Sequence, residues 1–333
     1  MRSCFIVHTS ALFAKASDAA LYGCESTKGS RRVRFASSTA AKMMTQEEIR
    51  RDQWDSMATI LPGSWLGKYW KQPFKDGKLD QPEDSGEIHY DVSISDDNPD
   101  ICRWEGRKMA DKKKEGQVLN ITYENFESKL GSSFILPGVV GQNSWSPKLP
   151  FSGVEINFIS TDHCRRMMIA TYEPIDGEQA QRLISVLIGA FRDSNVQEKV
   201  PVIESESLTA IDRITEIPSL EPVASLGMSI RGGEKKYYDL TDEEAHCTGM
   251  LKPDMKILPL RDSMFACVPE VVGPNSTLFF GVIMPSSAQV AGLTLDSNGV
   301  QCDWFTSIYG NHNGRPTKAL GSASRRLGSV TRA

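Results

Sequence analysis

The side chains of this 333-residue chain that could do chemistry come as scattered pairs, without an assembled catalytic motif. His163-Cys164 and His246-Cys247 each put an imidazole beside a thiol, and both groups bind metals. Neighbouring residues on a strand point to opposite faces, so neither pair can close on one ion, and no metal site is expected. Asp242, Glu243 and Glu244 with His246 would make an acid/base cluster, but their place after a predicted strand marks a solvated loop. The chain has no Gly-rich phosphate loop, no G-x-S-x-G elbow, no H-E-x-x-H helix and no C-x-x-C pair. The reactions those motifs carry therefore lack their usual residues here.

The aromatic side chains say more. Trp65, Tyr69, Tyr90, Trp104, Trp145, Phe158 and Tyr172 all fall on predicted strands of the first half, and Phe279, Phe280, Trp304 and Tyr309 on those of the second. Any one of them reads as core packing. Together they would line a cup for a flat, conjugated or apolar ligand, because aromatic faces stack on extended π systems.

Strands must position these rings. Glu87 to Ser95 alternates Ile88, Tyr90, Val92 and Ile94 with His89, Asp91, Ser93 and Ser95, the period of a half-buried strand. Further strands are expected near 64–71, 101–108, 118–125, 129–135, 139–145, 153–160 and 165–172, separated by turn residues such as Asp76-Gly77, Glu115-Gly116 and Pro137-Gly138. Eight short strands suit one antiparallel barrel. Ahead of them, Thr45-Gln46-Glu47-Glu48 reads as a capping box for a helix whose buried face carries Ile49, Trp54, Met57 and Ile60, with Pro62 as the stop.

After Tyr172 the spacing of Leu183, Ile184, Leu187, Ile188 and Phe191 predicts a helix capped by Asp176, followed by a polar connection up to Glu221. A second β-rich block follows. Its strands are expected near 224–230, 235–240, 246–251, 255–258, 264–272, 276–284, 288–295 and 300–309, with Asn298-Gly299 in the last hairpin. The fold class is thus mainly β: two consecutive antiparallel barrels with short flanking helices. The layout is a leader over 1–44, a first barrel over 45–176, helix and linker over 177–221, a barrel-like domain over 222–310 and a tail over 311–333.

Charge is segregated. The two ends carry +5 each, which leaves −14 on residues 45–310 out of a total of −4. An acidic core argues against nucleic-acid binding by the folded part. A basic, acid-poor, Ser- and Ala-rich leader has the composition of an organelle transit peptide, for a chloroplast or other plastid, with a mitochondrion as the alternative. The Gly-, Ser- and Arg-rich tail reads as disordered. No apolar run approaches the ~20 residues that cross a bilayer as a helix. Seven cysteines without close pairing suit a reducing compartment better than a disulfide framework.

Gly63-Ser64-Trp65 at the first strand, "RRMMIATYE" from Arg165, "LPLRDSMFACVPEVV" in the second block and the terminal "CDWFTSIYG" together resemble an uncharacterised family of duplicated lipocalin-like barrels from cyanobacteria and algal plastids. The resemblance covers about residues 45–310 and implies membership of the calycin group, with the lipocalins, the fatty-acid-binding proteins and the lyases that attach bilins to phycobiliproteins. It implies that Trp65 plugs the floor of the first barrel and that Arg166, on the last strand, packs over it in a cation-π contact; the alternative is that Arg166 faces solvent beside Asp162. The expected ligand-binding set is Trp65, Tyr69, Tyr90, Trp104, Phe158, Arg166 and Tyr172. The implied partner is a hydrophobic small molecule such as a tetrapyrrole, a carotenoid or a fatty acid. No catalytic residue or cofactor follows from the resemblance. A chromophore lyase or isomerase would need a proton-transfer group, for which Glu105 and Asp91 are the candidates, and a non-catalytic assembly factor would need only filled barrels.

Overall fold

The computed structural model describes residues 44–60, 62–108, 117–126, 134–136, 138–143, 151–159, 164–176, 178, 180–194, 208–284, 287–296 and 302–310. The tail, Trp145, His163, Asp162, the Asn298-Gly299 turn and all but the last residue of the expected leader lie outside them.

The first helix, α1 (Gln46–Ile60), starts where its sequence says it should. Thr45 N donates to Glu48 Oε2 at 2.8 Å and Glu48 N donates to Thr45 Oγ1 at 3.2 Å, the reciprocal bonds of a capping box. Ile49, Trp54, Met57 and Ile60 are all buried.

Two curled antiparallel sheets, each a half-barrel, make up the rest. The first is built from β1 (Gly63–Lys75), β2 (Lys78–Leu79), β3 (Glu83–Ile94), β4 (Ile101–Lys108), β5 (Gln117–Thr122), β6 (Phe134–Leu136), β7 (Val139–Asn143), β8 (Ser152–Ile159), β9 (Cys164–Pro174) and β10 (Gln181–Asp193). Its strand order is β5-β4-β3-β1-β10-β9-β8-β7-β6, with β2 paired to β1. Gly63 opens β1 at φ +143°, a backbone angle that glycine tolerates and other residues resist.

A short helix α2 (Ile211–Glu216) and a 3₁₀ turn (Ile217–Ser219) lead into the second half. There β11 (Pro222–Arg231), β12 (Glu234–Tyr238), α3 (Asp242–Ala245), a 3₁₀ turn (Thr248–Leu251), β13 (Met255–Pro259), β14 (Met264–Pro269), β15 (Val271–Val272), β16 (Thr277–Met284), β17 (Ser287–Leu295) and β18 (Cys302–Gly310) follow in order. The second sheet runs β12-β11-β18-β17-β16-β14-β13. β15 leaves it and pairs with β10 of the first sheet, Gln181 opposite Val272. No helix among the described residues is long and apolar enough to cross a membrane.

The expected helix after Tyr172 is a strand. β10 lies between β1 and β9 and is covered on both sides, with Val186 and Ile188 packing to one face of the sheet and Leu187 and Phe191 to the other. A strand buried on both faces loses its alternation and becomes a run of apolar residues that periodicity cannot separate from a helix. The strand expected over 246–251 is likewise absent. Thr241 and Glu244 form a second capping box that starts α3, and Cys247 at φ +52° turns the chain in a way no strand allows. Part of the polar connection before Glu221 is also ordered as α2 and its 3₁₀ turn.

Three apolar clusters account for the layering. One fills the concave face of the first sheet beneath α1, and one fills the concave face of the second sheet beneath α2, its 3₁₀ turn and the Cys247–Met250 segment. The largest joins the two sheets back to back. Phe134, Phe158, Met168, Tyr172 and Ile188 from the first meet Met228, Val268, Phe280, Leu293 and Trp304 from the second, and Phe134 stacks on Trp304 at 4.2 Å.

Candidate functional site

The concave face of the first sheet combines buried rings with a group of buried polar side chains. On the β1, β3, β4 and β10 side it is aromatic. Trp65 and Tyr69 project from β1, Tyr90 from β3, Trp104 from β4 and Phe191 from β10. Tyr90 lies 5.2 Å from Trp104 and 5.7 Å from Phe191, ring centre to ring centre, with the planes tilted. These distances fall in the range of favourable aromatic pairs. The rings rest on glycines: a Cβ on Gly106 would lie 2.4 Å from the Trp104 ring, and one on Gly67 2.4 Å from Phe191.

On the β7, β8 and β9 side the same face sets polar groups among Val140, Ile159, Met167 and Ile169. Gln142 sits opposite Glu155 across β7 and β8, Asn157 follows two residues along β8, and Arg165 is the second residue of β9. All four are buried. Asn157 joins the two charged residues, donating from Nδ2 to Glu155 Oε1 at 3.1 Å and accepting a short hydrogen bond from Arg165 Nη2 at Oδ1. The Arg165 guanidinium also lies 5.5 Å from the centre of the Phe191 ring. Glu155 Oε2 and Gln142 Oε1 are buried without a hydrogen-bond partner. Burial pushes the Glu155 carboxyl up to about 8, against smaller opposing effects of Asn157 and Arg165. It also lowers the affinity of Arg165 for its proton, while Glu155 raises it. Tyr90 is driven well above the usual tyrosine range, again by burial first, and is a neutral hydroxyl throughout ordinary pH.

The structure brings together four of the seven expected ligand residues, Trp65, Tyr69, Tyr90 and Trp104. It separates the other three. Phe158 and Tyr172 point to the opposite face and pack into the core between the sheets. Arg166 does not cover Trp65: its Nε lies 3.0 Å from Asp262 Oδ2 and donates to the Asp262 carbonyl at 3.1 Å, tying the two sheets together. Its neighbour Arg165 is the inward arginine. A slip of one residue along a strand exchanges the faces, which is why "RRMM" did not show which arginine turns inward. Both carboxylates proposed for proton transfer face away from the interior. Asp91 accepts from Ser64 Oγ at 2.6 Å and lies 3.5 Å from His89 Nε2, and Glu105 is 3.8 Å from Arg103 Nη2. In this trio His89 Nε2 is within reach of both Ser64 and Asp91, so Asp91 does not orient the ring through its other nitrogen as a hydrolytic triad requires.

The inward carboxylate is Glu155, which the sequence reading passed over. Its signal lies in "SGVEINFI", where a glutamate two residues before an asparagine interrupts an otherwise apolar strand.

α1 covers this face. Trp54 and Met57 join its apolar cluster, and Gln53 bridges to β6 by donating to the Ile135 carbonyl at 2.8 Å and accepting from its N–H at 2.7 Å. The helix is also fastened to the second half: Tyr237 donates to Asp52 Oδ2 at 2.6 Å, and Gln46 exchanges hydrogen bonds with the backbone of Lys235 at 2.8 and 2.9 Å.

No protein-family model matches the sequence, and no curated protein matches it. Among solved structures, the chain is similar in fold to a Nostoc punctiforme protein of unknown function from the DUF3598 family. The TM-score is 0.50 at 14% identity, over 78% of this chain and 98% of that one. A phycobiliprotein lyase of the S type from Guillardia theta aligns over 45% of this chain and 93% of its own, with a TM-score of 0.23 and 11% identity. The first likeness places the chain among mainly β proteins of this architecture; the second is too distant to carry an argument.

Proposed function

We propose that the protein binds one elongated hydrophobic molecule, a pigment, tetrapyrrole or lipid, between the concave face of the first sheet and α1. The observation that carries this reading is the buried Gln142–Glu155–Asn157–Arg165 stripe facing a wall of Trp65, Tyr69, Tyr90 and Trp104. Burying a carboxyl and a guanidinium is costly, and apolar residues would pack such a face at lower cost. An aromatic wall opposite a few convergent polar groups is the usual make-up of a small-molecule site. Entry requires α1 to move, since Trp54 and Met57 pack against the same side chains.

The test is a titration of the full chain with bilins, carotenoids and fatty acids, followed by quenching of tryptophan fluorescence and by native mass spectrometry. Saturable one-to-one binding with an unchanged ligand is expected, weakened by Tyr90→Ala by about 1 kcal/mol or more. Absence of binding by all three classes would leave the assembly-factor reading. A chemically altered or protein-linked ligand would make the protein an enzyme instead. We also propose that residues 1–44 direct import into a plastid, which N-terminal sequencing of the protein from its own cell checks; recovery of an intact Met1 would refute it.

A further inference from the structure

We infer that the second half-barrel is the latch of the first: its edge strand β12 holds α1 down over the concave face of the first sheet, and release of that hold opens the face while both sheets stay folded. The inference goes beyond the binding reading above, and only its consequence for a ligand rests on it.

Among the described residues, β6 ends the first sheet and β12 ends the second, so each has one side without a neighbouring strand. The β11–β12 hairpin turns through Gly232 and Gly233, at φ +58° and +87°, between the paired residues Arg231 and Glu234. In a two-residue hairpin the closing pair is hydrogen-bonded, and the next residue of each strand turns its N–H and carbonyl outwards. Lys235 is that residue on β12. Its N–H donates to Gln46 Oε1 at 2.9 Å, and its carbonyl accepts from Gln46 Nε2 at 2.8 Å. Gln53 makes the same pair of bonds with Ile135 on β6. Gln46 and Gln53 stand two helical turns apart and so lie on one side of α1. Each gives an open edge the hydrogen bonds of a missing strand, and α1 thereby spans from one sheet to the other.

Tyr237 completes the hold from β12. Its hydroxyl donates to Asp52 Oδ2 at 2.6 Å and accepts from Gln53 Nε2 at 2.7 Å. The grip on the two sides of α1 differs in kind. Its apolar side chains Trp54, Met57 and Ile60 belong to the cluster of the first sheet, whereas Gln46, Asp52 and Gln53 meet β12 through hydrogen bonds. Hydrogen bonds exchange for water at small net cost, which suits a contact that opens and closes. The C-terminal end of α1 runs within three residues into β1, so the half that carries Gln46, Asp52 and Gln53 is the part that swings clear. Arg51 also pairs with Asp100 of the first half, but at the surface, where an ion pair contributes little.

Because α1 is held by both halves, whatever moves the β11–β12 hairpin changes access to the first concave face. A molecule that lifts α1 loosens the hairpin's hold in return.

The experiment is pulsed alkylation of the full, unliganded chain with iodoacetamide, read cysteine by cysteine by peptide mass spectrometry. Cys102 is buried in the cluster that α1 covers, and Cys267 in the core of the second concave face. In the double variant Gln46→Ala, Tyr237→Phe, Cys102 should label at least about tenfold faster than in the native chain while Cys267 keeps its native rate. Tyr237→Phe alone removes the hydroxyl and keeps the ring; it should speed Cys102 by about threefold, and it carries the test where the double variant does not fold. Arg51→Ala should leave both rates within about twofold of native. An unchanged Cys102 rate in the Tyr237 variants overturns the inference. Equal acceleration of Cys102 and Cys267 overturns it as well, because the contacts would then support the whole fold and no moving part. So does a rise in Cys102 labelling in Arg51→Ala as large as that in Tyr237→Phe, which would deny the second half any special hold. The alkylation needs no ligand, so its outcome is independent of the container reading.

Discussion

The two concave faces solve the same problem in different ways. A curled sheet must cover its inner surface, and the second half-barrel does so with its own chain. Ile214, Ile217, Cys247 and Met250 fill it, and the Tyr309 hydroxyl donates to the Ala245 carbonyl at 2.7 Å. The first half-barrel is covered by α1 but keeps a carboxyl, two amides and a guanidinium inside. Among the described residues, the second concave face packs without buried charge. The polar stripe of the first is therefore not a requirement of the fold, and the contrast is what points to a ligand there.

The comparison can be broken most forcefully at the floors. Trp65→Ala in the first face and Phe265→Ala in the second each remove a fully buried ring, and each should cost about 3–5 kcal/mol in denaturant unfolding. A loss for Trp65 below about 0.5 kcal/mol would show that the first face is not a packed interior at all.

The stripe itself gives the next largest effect. Replacing Glu155 and Arg165 together by Leu and Met should leave the protein as stable or stabilise it by about 1–4 kcal/mol, because apolar residues of similar size avoid the desolvation of two charges. A net destabilisation would mean that the stripe supports the fold, and the contrast with the second face would lose its functional meaning.

The third test is a dependence on pH. The folded protein holds the Glu155 proton up to about 8, against an ordinary value of 4.5. The folded state therefore binds the proton more tightly than the unfolded chain. Its contribution to stability is complete below about pH 4.5 and is lost as pH rises toward 8, with a slope of at most about 1.4 kcal/mol per pH unit. Urea melts across that range should show stability falling with pH in the native chain and a flatter profile in Glu155→Gln. Identical profiles would place the proton elsewhere.

What could be read from the sequence follows from burial. β3 was legible because one side faces the interior and the other does not, so Ile88, Tyr90 and Val92 alternate with His89, Asp91 and Ser93. α1 was legible because its cap and its apolar face agree. β10 was not, since burial on both sides erased the alternation that marks a strand. Half of the candidate site was visible as aromatic residues with the right parity, Trp65, Tyr69, Tyr90 and Trp104. The polar half was hidden, because parity along β8 and β9 depends on which face a curled sheet turns inward. Nothing local in "CRRMMIATY" fixes that choice, and Arg165 and Arg166 went to opposite sides of the sheet.

The short strand β15 has a consequence for how the molecule comes apart. It belongs by sequence to the second half but hydrogen-bonds to β10 in the first, and Leu183 N donates to the Glu270 carbonyl beside it at 2.8 Å. Together with the core shared between the sheets, this laces one half into the other. A fragment ending near residue 194 would bare the apolar back of its own sheet, from Phe134 to Ile188, and leave the end of β10 without its partner. The two halves are therefore expected to unfold together, and cutting the chain at the middle should free neither as a folded piece.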